Sequence, residues 1–84
     1  MTVQIKKDQK ILNKYLNGSI IKTALQTPLK NVRAYATEDN KALFIATKTQ
    51  KDRLSSLVAF IASQKGWNMS MNTEGSLLVC LLYP

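Results

Sequence analysis

The first half of the chain changes from an alternating pattern to a helical one. Residues 2–5 alternate polar and apolar side chains, which predicts a short strand. From residue 8 the apolar positions recur at helical intervals, which predicts a helix that ends before Pro28. Gly18 interrupts this pattern, so either one bent helix runs to about residue 26 or two shorter helices meet at residues 17–19. The apolar stripe comprises Ile11, Leu12, Tyr15, Leu16, Ile20, Ala24 and Leu25.

The middle of the chain predicts a hairpin followed by a second helix. Residues 31–37 and 42–48 are rich in β-branched and aromatic side chains and flank the polar turn formers at 38–41. Thr49 and Asp52 then match a capping box, which predicts a helix start, and Gly66 suits the position just after the helix end. The predicted buried stripe of this helix is Leu54, Leu57, Val58, Ile61 and Ala62.

The last third of the chain predicts a second hairpin. Residues 67–72 alternate apolar and polar side chains, residues 73–75 favour a turn, and residues 76–83 are almost entirely apolar. A strand that is apolar on both faces belongs inside a sheet that is covered on both sides. We therefore expect the final strand to be central.

These elements predict one α+β domain that spans residues 1–84. The expected architecture is a mainly antiparallel sheet of about four to five strands with two helices on one face. The predicted element order is (β)αββαββ, in which the strand in parentheses, residues 2–5, is either present or absent. With that strand present, the order approaches a ferredoxin-like βαββαβ arrangement with an additional C-terminal strand.

The charge balance points to a negatively charged partner. The 84 residues include 12 Lys or Arg, 5 Asp or Glu and no His, which gives a net charge of +7. Such a field attracts polyanions, so nucleic acid, an anionic membrane surface or an acidic protein is the expected class of partner, and nucleic acid or an acidic protein is the one we predict. Eight of the positive side chains lie in residues 1–47, which makes the N-terminal half the expected contact surface. A basic excess that only maintains solubility remains the alternative.

The residue types disfavour catalysis. Without histidine the chain lacks the usual general base near neutral pH and the commonest metal ligand. Its glycines, at positions 18, 66 and 75, do not form a phosphate-binding loop. Cys80 lies in the most apolar segment and is expected to be a core residue. We predict a protein that is not an enzyme and that binds no cofactor and no metal.

Charged and aromatic residues supply a candidate nucleic-acid interface. Lysines on or before the first helix would contact phosphates. Arg33, Tyr35 and Phe44 would share the open sheet face and could stack on bases, although a cross-strand aromatic pair or a subunit interface would use the same residues. The predicted nucleic-acid-binding residues are Lys6, Lys7, Lys10, Lys14, Lys22, Arg33, Tyr35 and Phe44.

The sequence thus predicts a non-catalytic basic binding module, with nucleic acid as the first candidate partner. The alternative is a small interaction domain, such as an adaptor or an inhibitor of the type carried by phages and mobile elements, that binds an acidic protein. We also expect a homodimer that covers the open sheet face, unless the first helix or the N-terminal strand covers it within one chain. The sequence begins without a recognisable secretory signal, and its longest apolar run is too short to span a bilayer, so we expect a cytoplasmic protein with no membrane span.

Overall fold

The computed structural model describes the backbone of residues 2–18, 21–25 and 32–84, and the side chains of residues 9–18 and 32–84. Within these residues the order is α1 Thr2–Leu16, β1 Ile21–Leu25, β2 Arg33–Thr37, β3 Ala42–Thr47, α2 Lys51–Lys65, β4 Asn68–Glu74 and β5 Leu77–Tyr83. The strands form one antiparallel sheet in the order β1-β2-β3-β5-β4. The predicted α+β class, with two helices and an antiparallel sheet, is confirmed.

The N-terminal region differs from the sequence-based expectation in two places. Residues 2–5 belong to α1 and not to a strand. The helix ends at Leu16 because Asn17 and Gly18 adopt positive φ angles of 53° and 74°, a left-handed conformation that stops a helix. The predicted continuation toward residue 26 is instead β1, where pairing with β2 outweighs the helical spacing. Part of that prediction, at residues 19–20 and 26, lies outside the described residues.

The second helix confirms part of its predicted stripe and its predicted end but begins differently. Leu54, Val58 and Ala62 are buried and recur every four residues, whereas Leu57 and Ile61 of the predicted stripe are only half-buried. Gly66 closes the helix in the left-handed conformation, as predicted. The predicted capping box is wrong, because a 3₁₀ turn at Lys48–Gln50 leads directly into α2, and the N-cap residues of the turn and of the helix, Thr47 and Gln50, make no side-chain cap hydrogen bond.

The two helices pack on opposite faces of the sheet. Leu54, Val58 and Ala62 of α2 pack on one face, which we call the α2 face and which includes Phe44, Ala46, Leu78, Cys80 and Leu82. Ile11, Leu12 and Leu16 of α1 pack on the other, the α1 face, which includes Leu43, Ile45 and Val79. The arrangement with both helices on one face is therefore corrected. An apolar strand such as β5 needs cover on both sides, and each helix supplies one.

This arrangement removes the reason for the predicted homodimer. The dimer was expected to cover a sheet face left open by the helices, and α1 covers that face within one chain. Strand β5 lies between β3 and β4, and four of its residues are almost completely buried. The prediction of a central final strand is confirmed.

The loop between β2 and β3 sets which side chains share a face. The backbone N–H of Thr37 donates to the carbonyl oxygen of Lys41 at 3.0 Å, so the loop holds three residues and not the four that the polar stretch suggests. Asn40 supplies the left-handed residue of this loop, with φ 62°. A loop one residue longer or shorter would shift the pairing of β2 with β3 by one residue. A β2 side chain would then share a sheet face with a different set of β3 side chains.

Candidate interaction surface

The predicted base-stacking group is divided between the two sheet faces. Arg33 lies opposite Ile45 and Tyr35 lies opposite Leu43, which puts both on the α1 face. Phe44 points to the α2 face and is only 3% exposed. Tyr35 is itself half-buried against the apolar side chains of the α1 face. The structure therefore does not bring these side chains together on an open surface, and the correction follows from the three-residue loop.

The predicted lysines lie on two elements. Lys6, Lys7, Lys10 and Lys14 occupy α1, and Lys22 lies in β1. At 3.6 residues per turn, the four α1 positions fall within about 100° of helix circumference. Of the five side chains, those of Lys10 and Lys14 are described, and both are exposed.

Lys14 belongs to a polar contact that attaches α1 to the turn between β4 and β5. Its Nζ donates to Glu74 Oε2 at 2.7 Å, and the Tyr15 hydroxyl donates to the same oxygen at 2.7 Å. The hydrogen bonds from Lys14 and then Tyr15 hold the pKa of Glu74 below its usual value. Burial, followed by the hydrogen bond to the carboxylate, raises the pKa of Tyr15 to about 12. A cation engaged in this way is less available to a phosphate.

Catalytic chemistry has few candidates in the part of the chain that the structure describes. No group of three or more Cys, Asp or Glu side chains there could hold a metal ion. Burial raises the pKa of the Cys80 thiol to about 11, which disfavours the nucleophilic thiolate. Neither described helix has an apolar stretch long enough to span a membrane.

A cationic groove lies beside the start of α2, and we call it the lysine groove. It encloses about 400 Å³, and its lining combines two exposed lysines with the apolar side chains and polar groups of the adjoining strands. The lining residues are Lys48, Lys51, Met71, Asn72, Thr73 and Leu78. Among the residues that the structure describes, no carboxylate lines it, whereas a second groove beside α1 contains Glu74. The lysine groove is therefore suited to a negatively charged ligand.

The lysine groove borders an edge of the sheet. Strand β4 is the last strand in the sheet order, and β5 is its neighbour. Met71 and Thr73 of β4 contribute to the groove, and Met69 is an exposed apolar residue on the same strand, at 39%. A ligand in this groove can thus meet cationic, apolar and backbone groups together.

A third groove, of about 420 Å³, lies on the same sheet face near the end of α2. It is formed mainly by apolar groups, among them Phe44, Ile61 and Trp67, with Lys41 and Lys65 also in its lining. Lys65 Nζ lies 5.4 Å from the centroid of the Trp67 ring, a distance typical of a cation–π contact. Lys65 is thus already in contact with an aromatic ring, and Lys41, the other lysine of this groove, is half-buried.

Sequence reasoning did not select Lys48 and Lys51, because they lie in the half of the chain with fewer positive charges. The only sequence signal is their spacing of three residues at a predicted helix start. Their proximity to β4 depends on the sheet order, which a single sequence does not reveal.

Comparison of the chain with protein-family models, curated proteins and solved structures found no match. The candidate function therefore follows from the geometry of the described surface and from its charge.

Proposed function

We propose that this domain is a non-catalytic binding module whose partner is an acidic stretch of another protein, held in the lysine groove. The observation that carries the proposal is the combination of exposed Lys48 and Lys51 with an apolar groove floor at the sheet edge.

The electrostatics of the groove support an anionic partner. Lys48 and Lys51 line it, its described lining includes no carboxylate, and the whole chain carries a net charge of +7. Long-range attraction would accelerate the encounter, and the two lysines would then orient the bound segment. Met71 and Leu78 add apolar contact, which a purely electrostatic surface would lack.

Nucleic acid remains a second candidate because of the lysine positions on α1. Helical spacing groups positions 6, 7, 10 and 14 on one side of that helix, which would suit phosphate contacts. Base stacking no longer supports this candidate, since Phe44 is buried and Tyr35 packs against the apolar side chains of the α1 face. Binding would then depend on phosphates alone and would show little sequence preference.

Fluorescence anisotropy separates the two candidates. The probes are a labelled oligoglutamate peptide and labelled single- and double-stranded DNA and RNA, each at low and at physiological salt. We expect the peptide to bind at both salt concentrations and the nucleic acids to bind weakly, with a steep loss as salt increases. Tight nucleic-acid binding at physiological salt, together with no peptide binding, would contradict the proposal.

A pair of charge-matched variants locates the binding. Lys48→Gln/Lys51→Gln removes both groove lysines, and Lys10→Gln/Arg53→Gln removes the same charge from exposed positions outside the groove lining. We expect the first variant to raise the peptide dissociation constant at least about tenfold and the second to change it less than about threefold. Equal losses would show that net charge, and not the groove, governs binding.

A further inference from the structure

Strand β4 has the features of an edge that is open to another strand. It is seven residues long, Asn68–Glu74, and it pairs with β5 in continuous register along its whole length. Among the strands that the structure describes, none pairs with its other side. Natural edge strands are usually protected by lysine, proline, a bulge or a short length. The sequence of β4 contains no lysine and no proline, and its pairing shows no register shift.

The register identifies the backbone groups that β4 presents outward. Glu74 lies opposite Leu77 across a loop of two residues, Gly75 and Ser76, and such a loop is closed by a hydrogen-bonded pair. Hydrogen-bonded and non-hydrogen-bonded pairs alternate along an antiparallel ladder. The N–H and C=O groups of Met69, Met71 and Thr73 therefore point away from β5.

The same residues carry their side chains toward the lysine groove. Met71 and Thr73 lie opposite Cys80 and Leu78, which belong to the α2 face, and both line the groove. In an antiparallel pair, residues directly opposite each other place their side chains on the same face. Alternate side chains of an added strand would therefore lie on the α2 face, beside Lys48 and Lys51.

We infer that the acidic partner binds by adding an extended segment antiparallel to β4 as a sixth strand, with acidic side chains at alternate positions facing the lysine groove. This inference rests on the proposed function, because it specifies how the acidic segment is held. Main-chain hydrogen bonds supply affinity in this mode, and alternate side chains supply specificity. Acidic residues two positions apart lie about 7 Å from each other along a strand, so neighbouring carboxylates could approach the two lysines separately.

A second copy of this chain fits the edge less well than an acidic segment. Two copies would each bring a net charge of +7 and a pair of groove lysines, Lys48 and Lys51, to the same interface. Strand β4 itself contributes one charged residue, Glu74, which is already paired with Lys14. Charge complementarity thus favours a heterologous acidic strand over a symmetric β4 pair.

Backbone methylation of a peptide tests the inference without altering the protein. The probe is a short peptide that alternates glutamate and threonine, with blocked ends. In the inferred arrangement the glutamate side chains face the α2 face, so the glutamate N–H groups point toward β4 and the threonine N–H groups point away. One derivative carries N-methyl groups on the glutamates, and the matched control carries them on the threonines.

We expect methylation of the glutamates to weaken binding at least about tenfold, because it removes several main-chain hydrogen bonds. Methylation of the threonines should change the dissociation constant less than about threefold. Hydrogen exchange at the amides of Met69, Met71 and Thr73 should slow when the unmodified peptide is bound.

The possible failures are distinguishable. If oligoglutamate binds through Lys48 and Lys51 but both methylated peptides bind as well as the unmodified one, strand addition is wrong and the proposed function stands. If neither oligoglutamate nor the alternating peptide binds at low salt, both are wrong. A protein that sediments as a dimer through β4, with the same amides protected in the absence of peptide, would assign the edge to a second copy and overturn the inference.

Discussion

Leu16→Ala tests whether α1 is the cover of the second sheet face. Leu16 is fully buried and packs in a cluster with Leu43, Ile45 and Val79. Removing three buried carbons costs about 2.4 kcal/mol at about 0.8 kcal/mol per group, and the remaining cavity adds to this. We expect a loss of about 3 kcal/mol in the free energy of unfolding, against a total of roughly 4–13 kcal/mol for a chain of 84 residues.

Urea unfolding followed by Trp67 fluorescence and by circular dichroism measures this loss. Leu57→Ala is the matched control, because it makes the same chemical change at a half-buried position of α2 and should cost only about 1 kcal/mol. Because Leu16→Ala weakens the packing of α1 on the sheet, this variant should also self-associate more readily than wild type, which sedimentation at two protein concentrations would detect. A free energy of unfolding within about 0.5 kcal/mol of wild type for Leu16→Ala would show that α1 does not cover this face.

Three further predictions concern single residues. The lowered pKa of Glu74 means that its contact with Lys14 and Tyr15 stabilises the fold at pH values above the unfolded pKa of about 4.3. This stabilisation is lost as the pH falls through the lower pKa of the folded state. The difference in urea midpoint between wild type and Glu74→Gln should therefore shrink in acid. Cys80 should resist iodoacetamide at mildly alkaline pH in the folded protein and react rapidly in urea, and rapid labelling of the folded protein would contradict its burial. At Asn40, with φ 62°, substitution by valine should cost about 1–2 kcal/mol and substitution by glycine only a few tenths, as measured by thermal unfolding.

Periodicity predicted the elements of the C-terminal half because local pattern and tertiary context agree there. The buried α2 positions Leu54, Val58 and Ala62, the helix end at Gly66 and the apolar character of β5 each follow from residues that also pack as their spacing implies. At Ile21–Leu25 the local pattern and the tertiary context disagree. The apolar residues of this segment continue the helical spacing of α1, but the left-handed residues Asn17 and Gly18 end the helix, and pairing with β2 then determines the structure.

The candidate site was less predictable, because it depends on relations between distant segments. Whether Phe44 shares a face with Tyr35 depends on a single residue of loop length, which Asn40 sets through its positive φ angle. The groove formed by Lys48, Lys51 and β4 depends on β4 being an edge strand. Neither relation is visible in the spacing of apolar residues along the chain.

Mapping the bound peptide on the protein tests the central claim most directly. Titration of isotopically labelled protein with oligoglutamate, followed by two-dimensional amide spectra, reports which residues sense the ligand. The account predicts that the largest shifts occur along β4 and at Lys48–Gln50, the 3₁₀ turn beside the lysine groove. Shifts concentrated at Lys10 and Lys14 of α1, with β4 unchanged, would contradict it.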